Sequence, residues 1–216
     1  MIVRSLRLSG AVVALVVGLA SPIRAQLAGS AAEEWIKTLD SPARVSAMKV
    51  GEMMTALKIA PGQTLADVGA GSGALSGPLA LATGPQGVLY AVDIDKDLLA
   101  HIERRAADQK IGNIKTVLGA FTDPKLPVPV DLALMNDVLH HVEDRATYLQ
   151  NLATYIKPGG RIAIIDYLPE RSSHRAQPEL VVSEAQIDTW LRGAGLRLSE
   201  KVSLFDDRYF VIYAKP

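Results

Sequence analysis

The stretch LADVGAGSGALS, residues 65–76, decides the fold, because a short apolar run here passes into a glycine-rich loop. Three glycines alternate behind the run, and a single aspartate, Asp67, lies within it. A strand that ends in such a loop and continues into a helix presents free backbone N–H groups, and glycines let a ligand approach them closely. The stretch therefore predicts a nucleotide-binding loop between a buried strand and a helix.

The segments that flank this stretch alternate between strand and helix patterns. Strand patterns recur in five runs, TLADV, GVLYAVD, IKTVLG, DLALMN and RIAIID. Helix patterns lie between them at about 74–82, 95–109 and 149–156, the second with Asp95 as its N-cap. Such alternation implies a parallel sheet covered on both faces, with right-handed crossovers. KPGG, just before RIAIID, is predicted to turn the chain into the fifth strand.

The ends of the folded part complete this prediction. Ser41 starts an apolar helix that continues to a break at Pro61, and Ser183 with Gln186 fits a capping box for the last helix. RLSEKVSLF and RYFVIYA then predict an antiparallel hairpin. We therefore predict an α/β, Rossmann-like three-layer sandwich with a mostly parallel seven-stranded sheet and an antiparallel C-terminal hairpin.

The first 25 residues have the pattern of an export signal. A basic start, MIVRSLR, precedes the uncharged apolar run LSGAVVALVVGLA, and SPIRA ends on the small residue Ala25. This order is typical of a secretory signal peptide, cleaved here before Gln26. An uncleaved membrane anchor is the alternative, although the run is short for a span of about 20 residues. We expect a periplasmic, secreted or membrane-anchored protein that contacts a membrane only through this leader, with a cytoplasmic location as the lesser alternative.

Length and composition bound the rest of the chain. Its 216 residues suffice for one domain, which we place at 26–216, with cap helices at 31–60 and the core at 61–216. The 23 basic and 23 acidic residues give a net charge of zero, which argues against a nucleic-acid partner. The absence of cysteine excludes disulfides, thiolate metal sites and cysteine nucleophiles. No His, Asp and Glu spacing indicates a metal site, and the G-x-S-x-G elbow of hydrolases is absent.

The glycine loop fits two cofactors. Gly69, Gly71 and Ala74 satisfy the dinucleotide pattern G-x-G-x-x-G/A, whereas Gly69, Gly71 and Gly73 satisfy the G-x-G-x-G pattern of S-adenosylmethionine (SAM) enzymes. Asp93 closes the second strand and can accept hydrogen bonds from ribose hydroxyls, which both cofactors carry. The glycines alone therefore leave both cofactors open.

Three features favour SAM. Asp67 lies two residues before the first glycine, where a carboxylate repels a pyrophosphate but attracts the ammonium and sulfonium groups of SAM. The polar loop MNDVLHHVEDR follows the fourth strand. The KPGG turn leads into a strand and then into the terminal hairpin.

LADVGAGSG, VLYAVDID, MNDVLHHVED and KPGGRIAIIDY together resemble the class I SAM-dependent methyltransferases, in the expected order and separations over nearly all of residues 31–216. The small-molecule branch, similar to the quinone-biosynthesis C-methyltransferases, is nearest. The resemblance implies methyl transfer from SAM to a small-molecule acceptor. Two alternatives remain, an NAD(P)-dependent oxidoreductase and an exported, non-catalytic SAM-binding module. The second is motivated by a leader that points away from the cytoplasm, where SAM is made.

The resemblance also implies roles for single residues. The glycine loop, with Asp67, Gly69, Gly71 and Gly73, holds the methionine end of SAM. Asp93 binds the ribose and Ile94 lies against the adenine. Asn136 ends the fourth strand, where a backbone carbonyl usually faces the ligand.

The adenine end departs from the family pattern. Ala120 and Phe121 follow the third strand, where the family often has an acidic residue that contacts the adenine amine. Either Asp123 reaches round to replace that residue, or backbone atoms and Phe121 hold the adenine.

The candidate catalytic residues are His140 and His141. They follow the fourth strand at the carboxyl edge of the sheet, and an ordinary histidine pKa of about 6.5 suits a general base. The alternative is that one histidine packs against the cofactor while the other faces solvent. Asp137 is expected to cap a helix, and Asp166 ends the fifth strand at the same edge.

Overall fold

The structure is a computed structural model that describes residues 32–216. The predicted leader, residues 1–25, lies outside this range. Within 32–216, none of the helices has the length and apolar character needed to cross a membrane.

Within residues 32–216, three short helices precede the sheet, namely α1 (Ala32–Leu39), α2 (Pro42–Ala47) and α3 (Val50–Leu57). The single helix predicted from Ser41 onward is therefore wrong. The chain breaks at Lys49, whose φ of 46° is left-handed and whose ammonium donates to the Leu204 carbonyl at 2.8 Å. The break lets Met48 and Met53 pack side by side in the core, where they are 2% and 0% exposed.

Seven strands of residues 32–216 form one sheet, as predicted. They are β1 (Thr64–Val68), β2 (Val88–Asp93), β3 (Ile114–Leu118), β4 (Val130–Asn136), β5 (Ile156–Tyr167), β6 (Arg197–Lys201) and β7 (Arg208–Ala214). Their spatial order is β3-β2-β1-β4-β5-β7-β6. The first five strands are parallel, and β7 pairs antiparallel with both β5 and β6. The predicted mostly parallel sheet with an antiparallel hairpin is confirmed.

In the described part of the chain, four further helices cover the sheet, namely α4 (Ser76–Thr83), α5 (Lys96–Asp108), α6 (Arg145–Thr154) and α7 (Glu184–Gly193). The Asp95 carboxylate accepts hydrogen bonds from the backbone of Asp97 and Leu98, and so caps α5 as predicted. Ser183 and Gln186 form the predicted capping box of α7. Large buried clusters lie on both sides of the sheet, which explains why β1 and β4 read as continuous apolar runs.

The predicted turn at KPGG lies inside a strand, because β5 already begins at Ile156. Gly159 has a φ of 74°, and its N–H donates to the Lys215 carbonyl at 2.9 Å. The pairing of β5 with β4 shifts register between Val130 and Leu132. These residues therefore form an irregularity in the ladder rather than a loop before it.

The strand order reverses at β1, whose neighbours are β2 on one side and β4 on the other. The chain connections leave β1 and β4 in opposite directions there, which opens a crevice beyond the carboxyl ends of the two strands. The fold thus places the glycine loop and the polar loop after β4 at the same edge of the sheet.

Candidate functional site

A cleft opens over the carboxyl ends of β1, β2 and β4, and α1 and α2 form its roof. About 1300 Å³ of empty space lies in it, a figure that includes its open mouth. Nine predicted site residues line it, namely Asp67, Gly69, Gly71, Asp93, Ile94, Ala120, Phe121, Asn136 and His141. The cleft therefore brings together most of the residues predicted to bind the cofactor.

Asp67 lies at the end of β1 and is only 3% exposed. Burial, together with the nearby Asp93 carboxylate, raises the pKa of Asp67 to about 6, although the Ser76 hydroxyl donates to it at 2.6 Å. A buried carboxylate with a single hydrogen-bond donor is poorly stabilised when ionised. A cationic group in the cleft would supply the missing stabilisation.

The glycine loop packs too closely for side chains. Gly69 and Gly71 have φ values of 75° and 57°. A Cβ at Gly69 would lie 2.2 Å from a methyl carbon of Val138, and one at Gly71 would lie 2.8 Å from Leu39. The loop is thus enclosed by the segment after β4 on one side and by α1 on the other.

Gly73 has a different position from the other two glycines. Its Cβ would meet Ile102 of α5 at 2.8 Å, and it is not among the cleft-lining residues. The structure gives Gly73 a packing position, close to a helix that covers β2.

Asp93 ends β2 and organises the loop beside it. One carboxylate oxygen accepts the Gly71 N–H at 2.8 Å, and the other accepts the Asp95 N–H at 3.0 Å. Burial raises the pKa of Asp93, while these backbone donors oppose the shift. Asp93 therefore holds the glycine loop in place as well as facing the cleft, where it is available to ribose hydroxyls.

The contacts of Asp123 favour the second predicted arrangement, in which backbone atoms and Phe121 hold the adenine. Ile94, Ala120 and Phe121 line the cleft. The Asp123 carboxylate accepts hydrogen bonds from the Lys125 N–H at 2.7 Å and the Tyr155 hydroxyl at 3.1 Å. The Asp123 carboxylate is thus hydrogen-bonded away from the cleft. It does not replace the acidic residue that the family often has at the position of Ala120.

The loop after β4 carries buried polar atoms that face the cleft. Asn136 Oδ1, both carboxylate oxygens of Asp137 and His141 Nδ1 have no hydrogen-bond partner within residues 32–216. The prediction that Asp137 caps a helix is wrong, since the short 3₁₀ turn Leu139–His141 begins without a side-chain cap. The Asp137 carboxylate instead faces the guanidinium groups of Arg44 and Arg208 at 3.1 and 3.5 Å.

The two candidate catalytic histidines differ in position. His141 lines the cleft, and burial beside His140 and His174 lowers its pKa to about 4. His140 lies behind it, 6% exposed, with the two ring centroids 4.1 Å apart. His140 is buried and His141 is half-buried at the cleft wall, so neither is a fully exposed histidine. His141 is a neutral imidazole at physiological pH.

Asp166 holds His140 in place. Its carboxylate contacts His140 Nδ1 at 2.7 Å and accepts the backbone N–H of His140 at 3.1 Å. Asp166 is 2% exposed, so this end of β5 supports the histidine pair rather than facing a ligand directly.

Sequence reasoning missed the residues of the roof. Trp35, Leu39 and Arg44 line the cleft from α1 and α2. The Asp40 carboxylate joins this roof to the glycine loop, since it accepts the Ser72 hydroxyl at 2.6 Å and Arg105 at 2.9 Å. These residues stand far from the glycine loop in the sequence, and no local motif marks them. Residues 32–216 also contain no cluster of three or more His, Asp or Glu side chains that could hold a metal ion.

Comparison with known proteins identifies the fold that this architecture represents. A methyltransferase-domain family model matches residues 66–162, which include the glycine loop, Asp93 and the loop after β4. The structure of a SAM-dependent methyltransferase from Aquifex aeolicus superposes with a TM-score of 0.76 and 24% identity, covering 87% of this chain and 100% of that one. The chain has the fold of the class I SAM-dependent methyltransferases. The predicted resemblance is thereby confirmed, and SAM is the cofactor it supports.

Two curated relatives match over part of their length. An uncharacterized 37.1 kDa protein in transposon TN4556 of Streptomyces fradiae is 30% identical over 164 residues, which cover 72% of this chain and 45% of that protein. Demethylmenaquinone methyltransferase from Geobacillus sp. (strain WCH70) is 27% identical over 116 residues, covering 53% and 50%. The chain thus spans half or less of the length of these curated relatives.

Proposed function

We propose that this protein transfers a methyl group from SAM to a small-molecule acceptor. Asp67 carries the proposal, because a buried carboxylate with a pKa of about 6 beside a glycine loop suits a cationic cofactor and disfavours a pyrophosphate. The fold family supports SAM. The relative from Geobacillus, which is named for demethylmenaquinone, supports a small acceptor.

The residues of the cleft have distinct tasks in this proposal. SAM, when bound, supplies an electrophilic methyl group on a sulfonium. Asp67 and the glycine loop hold its amino-acid end, Asp93 holds the ribose, and Phe121 with Ile94 encloses the adenine. Catalysis then rests on alignment of the acceptor with the methyl group, which is the main contribution of the protein to such a displacement.

The acceptor side is mostly apolar, with a polar centre. Trp35, Met48 and Val138 line the cleft there, together with His141 Nδ1, which has no hydrogen-bond partner within residues 32–216. A neutral imidazole nitrogen can accept a hydrogen bond from a hydroxyl or amine, or donate one, depending on its tautomer. We therefore propose an acceptor with an apolar body and one hydroxyl or amine nucleophile, oriented by His141, with release of a proton when the methyl group is transferred.

Labelled SAM tests this function directly. The protein is incubated with [methyl-¹⁴C]SAM and panels of phenols, quinols and aromatic amines, and the extracted products are counted. We expect transfer to at least one hydroxyl- or amine-bearing class, with His141→Phe slower and Arg192→Met, a change at an exposed side chain of α7, without effect. Binding of SAM without transfer to any acceptor would instead support the non-catalytic binding module.

We also propose that the chain is exported, on the strength of the signal-like pattern in residues 1–25. A periplasmic or secreted enzyme would need SAM from outside the cytoplasm. The location of the protein and its activity are therefore separate questions with separate tests.

A further inference from the structure

The cleft is strongly acidic, with one cation. Five carboxylates line it, on Asp67, Asp93, Asp95, Asp137 and Glu143. Among the cleft-lining residues of the described chain, Arg44 is the single lysine or arginine. This wall suits the sulfonium and ammonium groups of SAM, but the α-carboxylate of the same molecule would face like charges. That carboxylate therefore needs a cationic partner.

Arg44 has donors to spare. One terminal nitrogen of its guanidinium lies 3.1 Å from Asp137 Oδ2, and the side chain is 28% exposed. The pair has the distance of an ion pair without hydrogen-bond geometry, because both Asp137 oxygens are without hydrogen-bond partners in the described chain. A guanidinium has five N–H donors in a planar fork that matches a carboxylate. Arg44 is thus placed at the cleft with its fork uncommitted.

The Arg208 guanidinium still balances the charge of the Asp137 carboxylate if the Arg44 side chain turns away from it. Its guanidinium lies 3.5 Å from the same Asp137 oxygen and its side chain is 5% exposed. It donates to the Ala47 carbonyl at 2.9 Å and lies 4.3 Å from the centroid of the Phe205 ring. Arg208 is therefore fixed on several sides, whereas Arg44 is free to exchange one carboxylate for another without leaving a buried charge alone.

Arg44 lies at the amino-acid end of the cleft. Its partner Asp137 directly follows β4, which pairs with β1 along the strand that carries Asp67. The next residue, Val138, contacts Gly69 closely. Asp93, the predicted ribose partner, ends β2 on the opposite side of β1. The nucleoside and Arg44 are thus separated by the glycine loop.

We propose that Arg44 binds the α-carboxylate of the methionine portion of the cofactor, exchanging Asp137 for it on binding. This inference rests on the proposed function, because it takes SAM as the ligand. A carboxylate on the acceptor is the other group that Arg44 could bind in the same way. A cofactor fragment without the amino-acid portion distinguishes between these two ligands of Arg44.

The test compares S-adenosylhomocysteine, which carries the amino-acid portion, with 5′-methylthioadenosine, which lacks it. Both are titrated calorimetrically into the wild-type protein, Arg44→Met, Arg44→Lys and Arg192→Met. Arg192 is a matched control, because it also pairs with an aspartate, at 2.7 Å on α7, away from the cleft. Thermal unfolding of each variant checks that it is folded, and Arg44→Lys keeps the charge without the fork.

We expect Arg44→Met to weaken binding of S-adenosylhomocysteine by about 10- to 100-fold, the loss for a charge-assisted hydrogen bond, and to leave binding of 5′-methylthioadenosine unchanged. Arg44→Lys should fall between, and Arg192→Met should match the wild type. Equal loss for both ligands, or no loss for either, would overturn the assignment of Arg44. Wild-type protein that binds neither ligand would overturn the proposed function along with it.

Discussion

At the scale of single residues, Asp67 lies in an environment that disfavours its ionised form unless a cationic ligand is bound. Burial raises its pKa to about 6, above the value of an aspartate in an unfolded chain. Because the folded state holds this proton more tightly, its contribution favours folding below about pH 4 and is lost as pH rises through about 6. Ionised Asp67 therefore opposes folding at neutral pH by about 3 kcal/mol.

Asp67→Asn should separate stability from binding. At pH 8 we expect the free energy of unfolding to rise by up to about 3 kcal/mol, and at pH 4 to be unchanged. Wild-type affinity for S-adenosylhomocysteine should fall as pH drops below 6, because protonated Asp67 no longer attracts the ammonium group, while the variant should bind weakly at every pH. Urea unfolding and titration at both pH values provide the check. A variant that is less stable at pH 8 would contradict this account of Asp67.

Gly69 tests how closely the loop is packed. Gly69→Ala places a Cβ against Val138 at a positive φ, whereas Gly62 has a similar φ of 84° with nothing within 4 Å of its Cβ position. Gly62→Ala should therefore cost only backbone strain, about 1–2 kcal/mol. Gly69→Ala should cost about 1–3 kcal/mol more and also weaken cofactor binding, as measured by urea unfolding and titration. Equal effects of the two changes would show that the contact with Val138 does not matter.

At the scale of elements, α1 is held over the cleft by few contacts. None of its residues is buried, and Asp40, which follows it, is joined to Ser72 and Arg105. Asp40→Ala should speed amide hydrogen exchange in α1 by about tenfold, the effect of losing about 1.4 kcal/mol.

The control for Asp40 is Asp188→Ala, which removes a comparable ion pair on α7. It should change exchange near α7 and leave α1 as in the wild type. Unchanged exchange in α1 after Asp40→Ala would mean that the roof is held by its apolar contacts instead.

Sequence patterns predicted the sheet better than the helices at its margins. Four of the five parallel strands, β1, β2, β4 and β5, contain buried runs that their composition alone marks. The edge strand β3 has no buried residue. The break at Lys49 depends on a left-handed residue that donates to Leu204, and the strand through Gly159 depends on pairing with the C-terminal segment. Both features come from contacts across more than 50 positions, which local propensity does not register.

Some residues of the site could also be predicted from the sequence, whereas others could not. Asp67, Asp93 and the first two glycines were recognisable because they stand at fixed offsets from strand ends. Arg44 reaches the cleft, and Asp40 reaches the glycine loop, only through the packing of α1 and α2. The positions of the histidines on the edge were predicted, but not the burial that separates His140 from the cleft.

At the scale of the whole molecule, the leader raises the question of where the protein works. If residues 1–25 are a cleaved signal, the mature chain should begin at Gln26 and appear in the periplasmic or secreted fraction. Cell fractionation followed by N-terminal sequencing measures this. An intact Met1 in a soluble cytoplasmic fraction would contradict export and leave the cleft chemistry untouched.

The central claim is that this cleft takes SAM rather than a dinucleotide. Calorimetric titration of the same protein with SAM and with NAD⁺ at pH 8 tests it most directly, because Asp67 attracts the first ligand and repels the pyrophosphate of the second. We predict saturable binding of SAM at one site and no heat with NAD⁺, with Asp67→Asn reducing the SAM signal. Saturable binding of NAD⁺ with no heat from SAM would contradict the account.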